Sequence, residues 1–309
     1  MVQKNCVKNK ILIICGPTAS GKSDLAMYIA DKLNTEIISA DSMNVYKGLD
    51  IGTAKPSKLE REKIVHHLID VVSPNQSFSV GDYKELAEPI VNRLISENRT
   101  PIVCGGTGFY VNSLIFNLSY GKANANLEIR EKYYSLFNQF GAEHVYNVLK
   151  NLDPESALKI NKNDVKRVIR ALEIYHSGIK KSELNDLNTP VRNYSAYYVN
   201  YPRDILYERI NLRVDKMIES GLIKEVESLI RCGLNEKSQC LQGIGYKEIY
   251  SYLKGEISLI EAINLIKINT RHYAKRQITF FKKLPNLLPL TPDKIEIMAE
   301  RIINNLWQI

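Results

Sequence analysis

The sequence predicts an α/β fold in which helices cover both faces of a mostly parallel sheet. Short continuous apolar runs, typical of strands buried on both faces, alternate with segments whose apolar residues recur at helical spacing. In addition, the first apolar run, Ile11–Cys15, ends at a glycine-rich loop that leads directly into an amphipathic segment. Strands that alternate with helices in this way are characteristic of parallel α/β proteins.

The elements of the predicted core follow in order along the chain. After the first strand, apolar residues at helical spacing predict a helix, and a second helix is predicted from Tyr83 to Glu97. Further strands are predicted at Glu36–Ala40, Pro101–Cys104 and Tyr194–Val199. The carboxyl ends of parallel strands meet at one edge of a sheet, where the sites of such folds form.

Two regions depart from this alternation. The polar segment 120–189 is rich in Asn, Lys, Glu and Tyr and predicts a helical insertion domain. From Arg203 the pattern is helical almost to the end, with breaks at Gly221, Gly233 and Pro285–Pro292. We therefore expect a catalytic core made of residues 1–119 and 190–309, including a helical C-terminal region, with the insertion at 120–189.

Composition narrows the classes of function. The formal net charge of +8 and the pI near 9.0 suit a polyanionic partner. Basic residues interleaved with aromatic ones between Lys247 and Lys283 also suit such a partner, although a solvated helix face with aromatic residues in the core would have the same pattern. Five scattered cysteines without a C-x-x-C pair argue against a disulfide framework and a zinc ribbon. No apolar run or signal-like start predicts a membrane partner or secretion, so we expect a cytoplasmic protein.

The glycine-rich loop gives the most specific indication of what the protein binds. Its sequence GPTASGKS matches the G-x-x-x-x-G-K-[ST] phosphate-binding pattern and lies between a strand and a helix, as the pattern requires. The predicted phosphate ligands are Gly16, Pro17, Thr18, Ala19, Ser20, Gly21, Lys22 and Ser23. Loop N–H groups and the helix N-terminus hold phosphate oxygens, Lys22 adds a full charge, and Ser23 can hold Mg²⁺. The core is thus P-loop NTPase-like, and its ligand is a phosphoanhydride.

A second nucleotide motif is rejected. Asn161–Asp164 matches the guanine-binding N-K-x-D pattern, but helical patterns flank it on both sides, whereas a GTPase would place it at the end of a strand. Asp164 is instead expected to cap a helix N-terminus.

Several further blocks follow the loop in a fixed order. They are Ser39–Tyr46, Asp50–Pro56, His66–Asp70, Gly105–Val111, Asp164–Glu173, Gly243–Lys247 and Thr270–Gln277. Together with the loop they resemble the bacterial tRNA dimethylallyltransferase family over essentially the whole chain. The resemblance implies that a dimethylallyl group moves from dimethylallyl diphosphate to N6 of adenine 37, beside the anticodon of tRNAs that read codons starting with U. The base would leave its stack and enter a channel, and the enzyme would act as a monomer.

The resemblance also assigns catalytic roles. Asp41 resembles the general base that takes the N6 proton, although a carboxylate that holds Mg²⁺ through water remains an alternative. Thr18 matches a threonine that orients the amine or the departing oxygen. Lys22, Ser23 with Mg²⁺, and Arg213 would neutralise the leaving diphosphate, although Arg213 could instead form a surface ion pair. His66 and His67 are expected to make structural hydrogen bonds.

The resemblance assigns the tRNA contacts in the same way. Matching positions are Asp41, Ser42, Met43, Asn44, Thr107, Lys166, Arg167, Val168, Ile169, Arg170, Gly245, Tyr246 and Lys247. Arg271, Lys275 and Arg276 are expected to contact phosphates of the anticodon stem-loop. The family usually has Gln where Asn44 and Lys166 stand.

Two other enzyme classes share parts of this pattern. A prenyltransferase acting on free adenine nucleotides would have the phosphate loop and Asp41, but it would not need the basic insertion and C-terminal region. A P-loop small-molecule kinase would need an arginine-bearing lid and a nucleotide-base pocket, and no block of the sequence indicates either.

Overall fold

A computed structural model describes residues 10–116, 118, 126–184 and 189–307 of the chain. The chain divides into two compact units, one containing the described parts of Met1–Ile115 and Val191–Ile309 and the other those of Phe116–Pro190. The expected boundary between residues 119 and 120 lies outside the described residues. None of the described helices combines the length and the apolar character that crossing a membrane requires.

The first unit is built on a parallel sheet. Its described strands are β1 (Lys10–Cys15), β2 (Ile37–Ser39), β3 (His66–His67), β4 (Ile102–Gly105), β5 (Asn193–Val199) and β6 (Leu287–Leu290). They lie in the order β3-β2-β4-β1-β5-β6, and every neighbouring pair is parallel. The predicted α/β fold with a parallel sheet is confirmed.

Helices follow most of the strands. In the first unit they are α1 (Lys22–Leu33), α2 (Lys58–Lys63), α3 (Val80–Ser96), α4 (Gly108–Ile115), α8 (Arg203–Glu219), α9 (Leu222–Arg231), α10 (Tyr246–Leu253), α11 (Leu259–Phe281) and α12 (Ile295–Trp307). In the second they are α5 (Leu127–Leu152), α6 (Pro154–Lys159) and α7 (Val165–His176). Leu12 and Ile14 of β1 pack with Leu25 and Ile29 of α1 and with Ile302 of α12. Each such buried side chain contributes about 1.5–3 kcal/mol.

Strand register brings the functional loops to one edge of the sheet. Cys15 at the end of β1 lies opposite Gly105 at the end of β4, and Ser39 at the end of β2 lies opposite Cys104. A Cβ on Gly105 would come within 2.1 Å of the Ala40 carbonyl oxygen, so glycine permits this close approach. The loops after β1, β2 and β4 therefore start side by side.

Two strands of the sheet were not predicted. β3 has two residues, which is too short for a pattern of apolar residues to reveal it. The stretch Pro285–Pro292, expected to interrupt a helical region, contains β6 at the edge of the sheet. Pro289 lies within this strand, and edge strands tolerate proline because one side of the strand has no ladder to complete.

The second unit has its own hydrophobic core. Tyr133 and Leu149 of α5 pack with Ala157 of α6 and with residues of α7. Asp164 caps α7 by accepting a hydrogen bond from the N–H of Arg167. The rejection of guanine recognition is supported, because the N-K-x-D motif lies at a helix start.

A buried carboxylate fixes the amino-terminal side of β2. Glu36 accepts hydrogen bonds from Arg93 of α3 (2.5 Å) and from Arg99 (2.7 Å), and it also contacts His67 of β3 (2.6 Å). His66 is hydrogen-bonded to the Ile64 carbonyl oxygen (2.7 Å), so both histidines make hydrogen bonds of the kind predicted. Burial opposes ionisation of Glu36, but these partners prevail and lower its pKa to about 2.

We predict that Glu36→Gln destabilises the protein in a pH-dependent way. Because the pKa in the folded state lies below the ordinary value of 4.5, the stabilisation is fully present above pH 4.5 and is lost as pH falls toward 2. The substitution should lower the free energy of unfolding by about 3 kcal/mol at pH 7 and by much less at pH 3. Urea denaturation at both pH values measures this. An equal loss at both would contradict the assignment, and Glu85→Gln, at an exposed position of α3, serves as control.

Candidate active site

The phosphate loop connects β1 to α1 and leaves the start of α1 open to a ligand. Gly21 occupies the N-cap position with φ of 77°, a left-handed conformation that glycine adopts at little cost. No side chain caps α1, whereas Ser57, Ser79 and Ser258 cap α2, α3 and α11. The first N–H groups of a helix need partners, and together they carry a partial positive charge. The start of α1 is thus suited to an anion.

Two positively charged side chains add to the partial positive charge at the start of α1. Lys22 donates a hydrogen bond to the Pro17 carbonyl oxygen (3.3 Å), and Arg213 of α8 donates to the Thr53 carbonyl oxygen (3.0 Å). Burial lowers the pKa of Lys22, and the charge of Arg213 acts in the same direction, while Asp41 opposes it. Burial also lowers the pKa of Arg213, again against Asp41. A bound anion would offset the electrostatic repulsion between Lys22 and Arg213.

Three adjoining cavities meet at these groups. The inner cavity, of about 80 Å³, is bordered by Thr18, Lys22, Ser23, Asp41, Arg213 and Tyr273. The lateral cavity, of about 340 Å³, shares Thr18, Asp41, Arg213 and Tyr273 with it and extends to Met43 and Lys247. The outer cavity, of about 680 Å³, shares Lys22, Ser23 and Arg213 with the inner one and is also bordered by Arg209 and Lys216. Arg213 therefore borders all three.

Asp41 lies where the inner and lateral cavities adjoin, and its backbone is fixed. Its carboxylate accepts a hydrogen bond from the N–H of Met43 (2.9 Å). Thr107, in the loop after β4, accepts from the N–H of Ser42 (3.0 Å) and donates its own N–H to the Ala40 carbonyl oxygen (2.9 Å). The loops after β2 and β4 are therefore joined on both sides of Asp41, which gives its carboxylate a defined position.

The sequence did not assign a role to Gln277, which holds the phosphate loop from α11. Its buried side-chain oxygen accepts from the N–H of Thr18 (3.0 Å), and its amide donates to the Gly106 carbonyl oxygen (3.0 Å). Tyr273, one turn earlier, borders both cavities next to Asp41, and burial and that carboxylate raise its pKa to about 12. Their i, i+4 spacing in the Thr270–Gln277 block was the available signal.

Arg209 was also missed. It lies one helical turn before Arg213 on α8 and donates a hydrogen bond to the Ala19 carbonyl oxygen (2.8 Å). The phosphate loop is thus held by α8 on one side and by α11 on the other. Ser20, within the loop, is buried, and its hydroxyl has no hydrogen-bond partner among the described residues.

The residues predicted to contact tRNA differ in accessibility within the first unit. Lys247 and Arg276 are exposed and border the lateral cavity, and Lys275 is exposed on α11. The guanidinium of Arg271 lies over the Tyr207 ring, 5.7 Å from its centroid. Gly245 and Tyr246 are buried: the N–H of Gly245 donates to Glu248, and the Tyr246 hydroxyl donates to Glu225 (2.6 Å). Asn44 borders the inner cavity.

The remaining predicted tRNA contacts lie on α7 of the second unit. Lys166 and Arg167 are exposed. Arg170 forms an ion pair with the buried Glu173 (2.5 Å). Val168 and Ile169, predicted to contact tRNA, instead belong to the hydrophobic core of this unit, at 1% and 2% exposure. The helical period turns their side chains inward, so only the polar positions of the block face solvent.

The same site has oxygen ligands for a cation. The exposed hydroxyl of Ser23, in the first turn of α1, and the carboxylate of Asp41 both border the inner cavity. Within the described part of the chain, no group of three or more His, Cys, Asp and Glu side chains could hold a metal ion. Mg²⁺ binds through oxygens and often uses one or two protein ligands together with substrate phosphates. The site suits Mg²⁺ delivered in that way.

Comparisons with known proteins agree with this geometry. Residues 44–284 match the model of a protein family described as IPP transferase. The chain is 47% identical to the tRNA dimethylallyltransferase of Acetivibrio thermocellus over 302 residues, or 96% of each protein. It is 48% identical to that of a Thermoanaerobacter species over 279 residues, or 88% of this chain and 89% of the relative.

Solved structures give the same result. A tRNA isopentenylpyrophosphate transferase from Bacillus halodurans is similar with a TM-score of 0.71 and 40% identity, covering 97% of each chain. A eukaryotic dimethylallyltransferase acting on tRNA is similar with a TM-score of 0.81 and 29% identity, covering 96% of this chain and 78% of that one.

We predict that Gln277→Ala weakens the binding of inorganic pyrophosphate by up to about thirtyfold, because two hydrogen bonds that hold the phosphate loop are lost at roughly 1 kcal/mol each. Isothermal titration calorimetry measures the affinity. Gln239→Ala is a matched control, since that side chain also makes two backbone hydrogen bonds, both to Phe78 and not to the phosphate loop. Equal effects of the two substitutions would contradict the role of Gln277.

Proposed function

The chain belongs to the IPP transferase family, and we propose that it transfers a dimethylallyl group from dimethylallyl diphosphate to N6 of the adenine beside the anticodon of tRNA. The observation that carries the proposal is the position of Asp41 between an anion site and a second cavity. The inner cavity suits the diphosphate. The lateral cavity has a volume within the range of small-ligand sites and suits an extruded base.

The reaction separates into two tasks for this chain. As adenine N6 bonds to the allylic carbon, the bond from that carbon to the bridging oxygen breaks and the diphosphate leaves. The departing negative charge falls between Lys22, Arg213 and the start of α1, which neutralise it without rearranging. Bound Mg²⁺, held by Ser23 and phosphate oxygens, would supply further neutralisation of that charge.

The second task is the removal of a proton. N6 gains a positive charge as it attacks, and Asp41 accepts the excess proton. A positioned carboxylate base contributes a factor of roughly 10² to 10⁴. Thr18 borders the inner and lateral cavities together with Asp41 and orients the attacking amine or the bridging oxygen. The alternative in which Asp41 binds Mg²⁺ through water predicts weaker pyrophosphate binding when the carboxylate is removed.

The choice of tRNA as acceptor rests on surface charge. Lys247, Lys275 and Arg276 are exposed in the first unit, and Lys166 and Arg167 are exposed in the second. Lys275 borders none of the three cavities, and Lys166 and Arg167 lie in the second unit, so a prenyltransferase acting on free AMP would not need these cations. We further propose that the enzyme works as a monomer in the cytoplasm.

We predict that Asp41→Asn lowers the rate of transfer to tRNA by about 10² to 10⁴ under single-turnover conditions. Pyrophosphate binding should stay the same or become tighter, because removing the carboxylate leaves Lys22 and Arg213 less compensated. A transfer assay with labelled dimethylallyl diphosphate and calorimetry with pyrophosphate and Mg²⁺ measure the two effects. Full activity of the variant, or loss of pyrophosphate binding, would count against Asp41 as the base.

We predict that Lys166→Ala weakens tRNA binding and leaves the rate with saturating tRNA unchanged. Loss of one phosphate contact should reduce the slope of log affinity against log salt by about one. Filter binding between low and moderate salt measures this slope. Lys150→Ala, which removes another exposed lysine of the same unit, is the control. An unaltered slope for Lys166→Ala would exclude a phosphate contact there.

A further inference from the structure

A carboxylate outside the inner cavity organises the loop between Asp50 and Pro56, which we call the arginine-support loop. Glu225 of α9 accepts hydrogen bonds from the backbone N–H groups of Asp50 (2.9 Å), Ile51 (2.8 Å) and Gly52 (3.1 Å). The hydroxyl of Tyr246 donates a further one to it (2.6 Å). Successive N–H groups that converge in this way form a nest for an anion, and here a side chain of the same protein occupies it.

Tyr246 packs against the same loop. Its side chain is buried, and a Cβ on Gly52 would come within 2.6 Å of the tyrosine ring. The ring therefore lies directly against the loop backbone while its hydroxyl is bonded to Glu225. Tyr246, expected from resemblance to contact tRNA, thus holds this loop in place.

The far end of the arginine-support loop is held by the side chain of Lys55. The ammonium of Lys55, whose side chain is 1% exposed, contacts the Tyr46 carbonyl oxygen (2.9 Å), Asp50 (2.6 Å) and Asp70 (2.7 Å). Asp70 is bound in turn by Arg61 (2.7 Å). With both ends fixed, the residues between them have a defined backbone position.

The backbone of the arginine-support loop reaches the anion site. The carbonyl oxygen of Thr53 accepts the hydrogen bond of Arg213 (3.0 Å), and Thr53 and Ala54 border the inner cavity. We propose that Glu225 is a positioning residue that acts through the arginine-support loop to orient Arg213 toward the diphosphate. Glu225 does not border the inner cavity and touches no predicted reacting group. The inference rests on the proposed function, since it takes the diphosphate as the ligand of Arg213.

The test is a double-mutant cycle that uses inorganic pyrophosphate with Mg²⁺ as the probe. Glu225→Gln keeps the size of the side chain but replaces one acceptor oxygen with a donor group that opposes the loop N–H groups. We expect about tenfold weaker pyrophosphate binding and a similar rise in KM for dimethylallyl diphosphate. Glu227→Gln, on the same helix and ion-paired at the surface with Arg231 (3.4 Å), is the matched control and should leave both values unchanged.

Arg213→Ala provides the decisive comparison. If Glu225 acts through Arg213, adding Glu225→Gln to Arg213→Ala should weaken pyrophosphate binding by less than about twofold more. The same tenfold loss with and without Arg213 would overturn the inference, because it would indicate general damage to the site. Should Glu225→Gln lack a cooperative thermal transition, Tyr246→Phe, which removes one hydrogen bond to Glu225, replaces it in the cycle with a smaller effect of about threefold.

The proposed function can fail separately. Transfer of label to tRNA by the unsubstituted protein tests that function. The ratio of pyrophosphate affinities in the cycle tests Glu225 and does not depend on which acceptor the enzyme uses.

Discussion

Positive charge is concentrated around a small cavity at the end of the sheet, and the rest of the site depends on it. The uncapped start of α1, Lys22 and Arg213 contribute this charge, and burial lowers the pKa of both side chains. Such a cluster is unfavourable by itself, so it has to be held together by other contacts. A bound diphosphate is attracted by this positive charge, which contributes binding energy and stabilises the leaving group.

The holding contacts come from several directions. Gln277 of α11 fixes the N–H of Thr18, Arg209 of α8 fixes the carbonyl of Ala19, and the loop carried by Glu225 supports Arg213. Sheet register places Asp41 beside the same cavity, with its backbone joined to the loop after β4. The polar groups that would act on the substrate are therefore held by residues far away in the sequence, which restricts their movement before the substrate arrives.

Local pattern was enough to predict the parallel core, the phosphate loop and the position of Asp41 after β2. These features depend on residues that are close in sequence. The two-residue β3 and the proline-containing edge strand β6 were not predicted, because both depend on pairing with a neighbouring strand. Gln277 was missed because its partner Thr18 is 259 positions away. Val168 and Ile169 show the opposite error: a matching block was extended to positions that the helical period turns into the core.

Competition between acceptors decides whether the enzyme prenylates tRNA or free nucleotides. The unsubstituted protein would be incubated with Mg²⁺, labelled dimethylallyl diphosphate and unmodified tRNA, in the presence of excess AMP and ATP, and the nucleosides of the digested tRNA would be separated. We expect label on N6 of the adenine beside the anticodon and none on free nucleotides. Label on AMP or ATP alone, or hydrolysis of ATP without transfer, would contradict it.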